Sequence, residues 1–328
     1  AVMRERGVTA VAMEVSSHAL ALGRVDGTVY DVAVFTNLTE DHLDFHADLE
    51  DYFAAKASLF TPAHARQAVI DVDDAYGARL AAQATVPVVT VSPSGGAVDW
   101  RAVEAATGPA GSSFTLLGPD GTRIPASTAL VGDFNLANAA LAVVALVRAG
   151  ADPSAAAAGV AACPGVPGRM ERVSAEGDEV LALVDYAHSP DALERLLLTC
   201  RGLVTPGSRL AVVVGAGGDR DPYKRPVMGE IAARLADLTV LTSDNPRSED
   251  PLAILSALRE GADRVPGARV EVLADRRAAI ERAVSLAGPG DVLVVAGKGH
   301  EQGQEAAGVM QPFDDRVVLR ESLRLVRR

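Results

Sequence analysis

The chain has 328 residues, 48% of them hydrophobic and 4% aromatic, and its formal net charge is −12. This length suffices for two domains with separate cores, whereas the negative charge argues against broad electrostatic binding to nucleic acid. The sequence has no apolar run near the roughly 20 residues of a membrane span, no signal-peptide pattern at its start, and two cysteines, Cys163 and Cys200, with neither disulfide nor metal spacing. We expect a cytoplasmic, monomeric protein that binds no nucleic acid.

The first half of the sequence alternates apolar strand patterns with helices. Strands are predicted at about residues 8–15 and 31–38 and in the segments QAVIDVDD and VPVVTVS. Residues 99–126 contain the turn-forming segments GPAGSS and GPDGT and are predicted to be a small hairpin insertion. The next segment, GDFNLANAALAVVALVRAG, predicts a long helix that begins with polar residues and ends at Gly150.

The second half follows a regular alternation of strands and helices. The Pro- and Gly-rich segment CPGVPGRMERV, residues 163–173, is the predicted domain junction. After it come five strand patterns: VLALVDY, RLAVVVGAGG, LTVLTSD, ARVEVL and DVLVVAGKGH. Helices are predicted between them, and this alternation indicates a mostly parallel sheet covered on both faces. Ligands of such sheets bind at the carboxyl ends of the strands.

Three residues of the first half are candidates for a metal or catalytic site. Glu14 follows an apolar segment, where a carboxylate is costly unless it binds a cation or accepts hydrogen bonds. His42, in TNLTEDHLDFH, offers an imidazole to a divalent cation. Both are equally well explained as ordinary polar residues at strand ends. Lys56 is one of only three lysines among 31 Lys and Arg residues, and it is either a surface lysine or a modified amine that arginine could not replace.

The glycine-rich loop GAGGDRD, residues 215–221, does not have the G-x-G-x-x-G spacing of a dinucleotide site, which argues against a dehydrogenase. No G-x-x-x-x-G-K-[ST] motif occurs. Several charged and polar residues instead follow strands of the same predicted sheet: Arg220, Arg225, Asp244, Asn245, Arg247, Lys298 and Glu301. Cations and carboxylates at one sheet edge favour a zwitterionic ligand over a purely anionic one.

Taken in this order, the motifs resemble the ATP-dependent Mur ligases, which assemble the stem peptide of peptidoglycan. The resemblance covers nearly the whole chain and rests on MEVSSHAL, TNLTEDHLDFH, YFAAKASLF, GDFNLANAALA, GVPGRMERV, VDYAHSPDAL, GAGGDRDPYKRP, SDNPRSEDP and VAGKGHE. It implies an N-terminally truncated member of the family with an α/β fold. Residues 1–168 would be the C-terminal part of the central ATP-binding domain, with a mostly parallel sheet and without its P-loop. Residues 169–328 would be the C-terminal, Rossmann-like, doubly wound domain.

The resemblance also implies roles for single residues. Glu14, His42 and Lys56 would be catalytic and hold Mg²⁺, Lys56 as a carbamate. The residues implied to bind ATP are Asn135, Asn138, Arg169, Asp185 and His188. Those implied to bind the UDP-muramoyl peptide are Ser16 and Arg24, and Leu22 stands between them where the family often has glutamine. Those implied to bind the incoming amino acid are Arg220, Asp244, Asn245, Pro246, Arg247, Gly297 and Glu301.

The reaction implied by the resemblance is amide formation on UDP-MurNAc-L-Ala-D-Glu. ATP would phosphorylate the D-Glu side-chain carboxylate, and the amine of the incoming amino acid would displace phosphate. Arg247 favours meso-diaminopimelate over lysine as that amino acid, because a guanidinium pairs bidentately with the extra carboxylate. Since the P-loop is missing from the sequence, the 328-residue chain is expected to be inactive alone.

Three alternatives remain open at the level of sequence. One is a family member that adds L-lysine, and another is an amide ligase such as folylpolyglutamate synthase, which the DNPR loop and VSSHAL disfavour. The third is a non-catalytic binding module that keeps the amino-acid pocket. An in-frame G-x-x-G-K-[ST] stretch encoded upstream of Ala1 would indicate a truncated ligase, and a start codon there would favour the module.

Overall fold

The computed structural model describes residues 2–39, 45–175 and 177–326. The chain forms two compact units. The first consists of the residues up to Ala106 together with Ser113–Thr128 and Phe134–Ala162, and the second of Thr107–Ser112, Ala129–Asp133 and the residues from Cys163. The predicted domain boundary after residue 168 stays a prediction. Among the described residues, no helix is both long and apolar enough to cross a membrane.

A six-stranded sheet with its strands in chain order organises the first half of the chain. The strands are β1 (Ala33–Phe35), β2 (Ala68–Asp71), β3 (Val88–Ser92), β4 (Trp100–Gly108), β5 (Gly111–Leu117) and β6 (Arg123–Thr128). The pairs β1–β2, β2–β3 and β3–β4 are parallel. The prediction of a mostly parallel sheet preceding the long helix is therefore confirmed for its first four strands.

The described residues of this half form six α-helices: α1 (Val2–Glu5), α2 (Ser17–Ala21), α3 (Leu49–Ala57), α4 (Ala75–Gln83), α5 (Asp133–Arg148) and α6 (Pro153–Ala161). Short 3₁₀ helices lie at Ser58–Phe60 and Pro119–Gly121. Aspartates start three of the α-helices, because the side chains of Asp48, Asp74 and Asp152 each accept a hydrogen bond from the backbone three residues later. The long helix predicted from GDFNLANAALAVVALVRAG is α5.

Two predictions for the first half are wrong. Residues 8–15 form no strand in the described structure, because they pair with no described strand, and the side chains of Val11 and Met13 are 60% and 53% exposed. Apolar character alone therefore did not make a strand there. Residues 99–126 are no separate insertion, since β4 pairs with β3 and the remaining strands continue the same sheet.

The sheet of the second unit has the order β11-β10-β9-β12-β8-β7. Its strands are β7 (Glu171–Arg172), β8 (Leu181–Asp185), β9 (Leu210–Val214), β10 (Leu238–Leu241), β11 (Val270–Val272) and β12 (Val292–Ala296). All neighbours are parallel except β7, which is antiparallel to β8. The helices are α7 (Pro190–Arg201), α8 (Lys224–Leu235), α9 (Pro251–Ala262), α10 (Arg276–Leu286) and α11 (Asp315–Val326). Separate apolar cores cover the two faces of the sheet, as predicted.

A hairpin after the sheet was not predicted. Its strands, β13 (Gly303–Ala306) and β14 (Val309–Pro312), are antiparallel and form a sheet of their own. The hairpin follows the loop after β12, so the chain places it beside the carboxyl ends of the second sheet. Four loops meet at this edge because β8, β9, β10 and β12 are neighbouring parallel strands.

Candidate functional site

A cavity in the first unit brings together three of the predicted site residues. Glu14, Lys56 and Asn138 all line it, and its volume is about 700 Å³. Glu14 lies on the irregular segment before α2, Lys56 on α3 and Asn138 on α5. These residues come from three separate parts of the chain, so the fold rather than sequence proximity creates the cavity.

Lys56 is half-buried. Its Nζ lies 5.1 Å from the centre of the ring of Tyr52, which is one turn earlier on α3. His42 lies outside the described residues. Within the described part of the chain, no group of three or more His, Cys, Asp or Glu residues could hold a metal ion. The Glu14 carboxylate and a carbamate on Lys56 would supply oxygen ligands, which suit Mg²⁺. The residues in the cavity therefore fit the predicted ion, and their role stays a prediction.

The residues predicted to bind the UDP-muramoyl peptide are not brought into this cavity by the described structure. Ser16 caps α2, since its Oγ accepts a hydrogen bond from the backbone of Ala19. Arg24 is exposed, and Leu22 is 53% exposed. Asn135 is buried in α5 one turn before Asn138. The functional roles of these residues also stay predictions.

The predicted nucleotide contacts of the second unit cluster at the end of β8. The two Asp185 oxygens accept hydrogen bonds from the backbones of Met170 and Ala187. Burial raises the pKa of Asp185 and outweighs these hydrogen bonds, which lower it. The Arg169 guanidinium lies 4.8 Å from the centre of the Tyr186 ring. The structure thus brings Arg169 and Asp185 to one corner of the sheet.

His188 lies in the same corner and is exposed. Its Nδ1 lies 2.9 Å from the Tyr186 carbonyl oxygen, and its own carbonyl oxygen accepts a hydrogen bond from Lys224 Nζ. Burial lowers the pKa of Lys224, and the charge of Asp244 counteracts burial in part. Lys224 therefore links the loop after β9 to the loop after β8.

Arg247, in the loop after β10, is held in a left-handed backbone conformation with φ of 52°. Its N–H donates to the Glu305 carbonyl oxygen, and its own carbonyl oxygen accepts from Ala307 N–H. The side chain donates from Nη1 to the Gly218 carbonyl oxygen at 2.6 Å. The hairpin on one side and the β9 loop on the other thus fix the guanidinium, which keeps 25% of its side-chain surface exposed. Positive φ is strained for arginine.

Asp244 and Gly297 approach each other closely at the ends of β10 and β12. Asp244 is 8% exposed, and its Oδ1 accepts a hydrogen bond from the Asn245 backbone. Asp244 Oδ2 is buried and has no hydrogen-bond partner among the described residues. Gly297 has φ of 117°, and a Cβ atom there would lie 2.5 Å from Asp244 Oδ2. Only glycine leaves this carboxylate room, and a buried carboxylate oxygen of this kind calls for a cationic or hydrogen-bonding ligand.

Asn245, Lys298 and Glu301 form a hydrogen-bonded cluster at the ends of the same two strands. Lys298 Nζ donates to Asn245 Oδ1 at 2.9 Å and to Glu301 Oε2 at 2.8 Å. Asn245 Nδ2 donates to the same Glu301 oxygen at 2.9 Å. The structure therefore unites Asn245, in the loop after β10, with Lys298 and Glu301, in the loop after β12.

Two predicted cations do not join this cluster. Arg220 is exposed, and its guanidinium donates to the neighbouring Asp219 carbonyl oxygen. Arg225 is buried on α8 and forms a bidentate ion pair with Glu249. Arg225 also donates to the Gly217 carbonyl oxygen, so it lies at the same edge of the sheet, but its charge is paired with Glu249. The Pro246 backbone packs against the loop after β9. A Cβ atom at Gly218 would overlap with the Pro246 carbonyl oxygen.

A buried ion pair next to Asp244 and Gly297 was missed from the sequence. Arg276, at the start of α10, pairs through two nitrogens with Asp315, at the start of α11, and both side chains are fully buried. Arg276 also donates to the carbonyl oxygens of Ser243 and Ala296, directly before Asp244 and Gly297. In a sequence this rich in arginine, nothing distinguishes Arg276 from a surface residue.

Two family models match the chain. The Mur ligase middle domain matches residues 1–146, and the Mur ligase glutamate ligase domain matches residues 168–299. The chain belongs to the Mur ligase family. The family resemblance and the α/β fold predicted from the motifs are thereby confirmed.

Individual relatives agree with this family. A Streptomyces coelicolor protein named UDP-N-acetylmuramoyl-L-alanyl-D-glutamate--2,6-diaminopimelate ligase is 60% identical over 99% of this chain and 64% of its own length. A solved structure of a protein with that name is 38% identical, with a TM-score of 0.69, over 99% of this chain and 66% of its own. A Mycobacterium tuberculosis folylpolyglutamate synthase structure is 25% identical, with a TM-score of 0.62, over 81% of this chain and 61% of its own. The chain thus spans just under two thirds of the length of these ligases.

Proposed function

We propose that this chain is part of a cytoplasmic, ATP-dependent ligase that joins meso-diaminopimelate to the D-Glu side chain of UDP-MurNAc-L-Ala-D-Glu. Relatives that carry this name and are 60% and 58% identical over nearly the whole chain support the proposal. The weaker likeness to folylpolyglutamate synthase, at 25% identity, makes a folate ligase the less favoured candidate.

The observation that carries the choice of amino acid is that one loop holds both a fixed guanidinium, Arg247, and a buried carboxylate, Asp244. Arg247 is fixed by Gly218 and the hairpin, so its guanidinium is ready to bind a carboxylate without further ordering. Asp244 Oδ2 is buried without a partner among the described residues. We infer that Arg247 binds the far carboxylate of diaminopimelate and that Asp244 faces an ammonium group. Arg247 Nε also lies 3.6 Å from Glu305 Oε2, so the extra carboxylate of diaminopimelate would bind the other guanidinium nitrogens, a contact that lysine cannot make.

The remaining proposed roles are assigned to residues of α5 and of the strand ends of the second sheet. Asn135 and Asn138 on α5 would hold the adenine, and Arg169, Asp185 and His188 would hold the rest of the nucleotide. Bound ATP and Mg²⁺ would supply the phosphoryl group and offset its charge. The residues after β9, β10 and β12 would orient the incoming amine toward the activated carboxylate, which then forms the amide and releases phosphate. Arg220 and Pro246 complete the proposed amino-acid pocket.

Lys56 is proposed to be carbamylated, because a neutral lysine amine reacts with carbon dioxide whereas a guanidinium stays protonated. The product is a carboxylate on a long arm, able to orient Mg²⁺ together with Glu14 and His42. Lys56→Ala in the full-length protein is expected to lose most activity and to regain part of it with an added short-chain carboxylic acid. Full activity without the acid would disprove the carbamate.

The proposed substrate is tested with Arg247→Ala in the full-length protein. The variant is expected to lose about 30-fold or more in kcat/KM for meso-diaminopimelate, because a desolvated charge pair is lost, and to lose its preference over lysine. The measurement is ADP release with each amino acid. The matched control is Arg277→Ala, which removes an exposed arginine of α10 and should leave both values unchanged. A retained preference for diaminopimelate in Arg247→Ala would show that the assignment is wrong.

A further inference from the structure

Lys298 is a fully buried lysine in the loop after β12. Its side chain has 0% exposure, although that of its partner Glu301 is 33% exposed. Burying an ammonium group is costly unless it is paired and hydrogen-bonded. Lys298 satisfies both conditions through Asn245 Oδ1 and Glu301 Oε2. Both partners of this buried cation belong to the proposed amino-acid site, so its effect on them bears on substrate binding.

The Asn245 amide is almost wholly committed to the protein. Its Oδ1 accepts from Lys298 Nζ and from the Glu305 backbone N–H at 3.0 Å, while its Nδ2 donates to Glu301 Oε2. Lys298 and the Glu305 N–H together determine which way the amide points, because only an oxygen can accept from these two donors. With Oδ1 fixed, Nδ2 is directed at Glu301.

The Glu301 carboxylate is the end point of this cluster. Its Oε2 accepts from both Lys298 and Asn245, whereas its Oε1 accepts no hydrogen bond from the described residues. One oxygen is therefore held in place and the other keeps its hydrogen-bonding capacity, in a side chain that is 33% exposed. An ionised, oriented carboxylate oxygen is a suitable partner for an ammonium group.

The loop leaves little freedom for a different cation at this position. Gly297 and Gly299, on either side of Lys298, both have positive φ. A Cβ atom at Gly299 would lie 2.8 Å from the Gly168 carbonyl oxygen and from Tyr186 Cβ, so the backbone is tightly packed. A guanidinium is larger and brings five N–H donors in a fixed plane. Its surplus donors would be buried without partners, which explains a lysine at this position in a chain with only three lysines among 31 Lys and Arg residues.

We propose that Lys298 is a positioning residue that fixes Asn245 and Glu301 so that Glu301 Oε1 receives an ammonium group of the incoming amino acid. This inference rests on the proposed function, and it adds a residue that acts through Glu301 and does not touch the substrate. Arg247, Asp244 and Glu301 would contact the substrate. Lys298 would act on it only through Glu301.

The charges around Glu301 make the proposal sensitive to pH. Burial raises the pKa of Glu301, but the hydrogen bonds from Lys298 and Asn245 and the charges of Lys298 and Arg247 outweigh burial and hold it below its ordinary value. The buried Arg276 guanidinium also acts on Glu301. Without Lys298, the opposing effect of burial remains and the Glu301 pKa rises. Glu301 would then take up its proton, and lose its affinity for an ammonium group, at a higher pH.

The test uses steady-state kinetics of the full-length protein with Lys298→Met and Lys298→Arg. Both variants are expected to raise the KM for diaminopimelate about 30-fold or more, with the KM for ATP unchanged. The acid limb of kcat/KM for the amino acid should move to higher pH in Lys298→Met. Arg320→Met, an exposed arginine of α11, is the control for loss of a cation and should change none of these values.

A double-mutant cycle distinguishes action through Glu301 from a general loss of structure. In the Glu301→Gln background, adding Lys298→Met should raise the KM no further, because the group through which Lys298 acts is already neutral. This comparison also decides the matter if Lys298→Met alone does not fold. An unchanged KM and acid limb in Lys298→Met, or additive effects in the cycle, would overturn the positioning role. Failure of the unmodified full-length protein to ligate diaminopimelate would instead refute the proposed function.

Discussion

Arg247 illustrates what a single residue contributes and how its surroundings define it. The sequence places it in a turn-forming DNPR segment after a strand, which identifies a loop but not a partner. The structure adds the strained backbone, the Gly218 carbonyl oxygen and the contacts with Glu305 and Ala307. A non-glycine residue with positive φ persists only where its surroundings hold it, and here the hairpin does so.

Asp71, at the end of β2, is a buried carboxyl group whose titration should be visible in stability. Burial, with the nearby charges of Asp73 and Asp74, raises its pKa to about 6 despite a hydrogen bond from the Asp73 backbone. Because the folded-state pKa exceeds the unfolded value of about 4, the folded state binds the proton more tightly. The stabilisation is complete below about pH 4 and is lost as the pH rises through 6.

Asp71→Asn is therefore expected to stabilise the protein at pH 8 by up to about 3 kcal/mol and to have a much smaller effect at pH 4. The measurement is the free energy of unfolding by denaturant at the two pH values. Asp120→Asn, which changes an exposed aspartate, should show no such pH dependence. Equal effects of Asp71→Asn at both pH values would contradict the raised pKa.

At the scale of elements, α8 and α9 pack against each other through glycines. A Cβ atom at Gly229 would overlap with the Leu258 carbonyl oxygen, and one at Gly261 with that of Pro226. The two helices therefore approach closely because both positions lack a side chain. Sequence alone marks these glycines as unfavourable in helices by roughly 1 kcal/mol each and does not reveal the contact that requires them.

Gly261→Ala is expected to destabilise the protein by about 1–3 kcal/mol, because the helices must separate or shift to relieve the overlap. Gly159→Ala in α6 is the matched control, since no atom lies within 4 Å of the added methyl group. It should be neutral or stabilise by about 0.5–1 kcal/mol through helix propensity. Thermal unfolding of both variants gives the comparison, and a stabilised Gly261→Ala would refute the close contact.

The elements of the second unit were predictable because their signals are local. Apolar runs such as LAVVV and VLVVA are buried along their whole length in β9 and β12, as parallel central strands require. The β13–β14 hairpin was missed because its residues are only partly buried or exposed and lack a strong apolar alternation. The opposite error occurred at residues 8–15, where an apolar pattern predicted a strand. These residues pair with no described strand.

At the scale of the whole molecule, the 328-residue chain should not catalyse ligation by itself. It contains no G-x-x-x-x-G-K-[ST] motif to hold ATP phosphates, and it spans 64% of the length of its Streptomyces coelicolor relative. The expected result is no ADP release with diaminopimelate and the muramoyl dipeptide, whereas the full-length protein releases ADP. Turnover by the 328-residue chain would contradict this expectation and require another phosphate-binding site.

The sequence by itself determined the family, the α/β class, the alternation of the second sheet and the loops that carry the candidate pocket. These follow from periodicity, turn formers and ordered motifs, all of which are readable within short windows. The tertiary structure alone decided that Arg225 binds Glu249, that Lys298 joins Asn245 to Glu301, and that Arg276 and Asp315 form a buried pair. Most of these partners are separated by tens of residues, and no local pattern specifies which buried charges meet when distant strand ends come together.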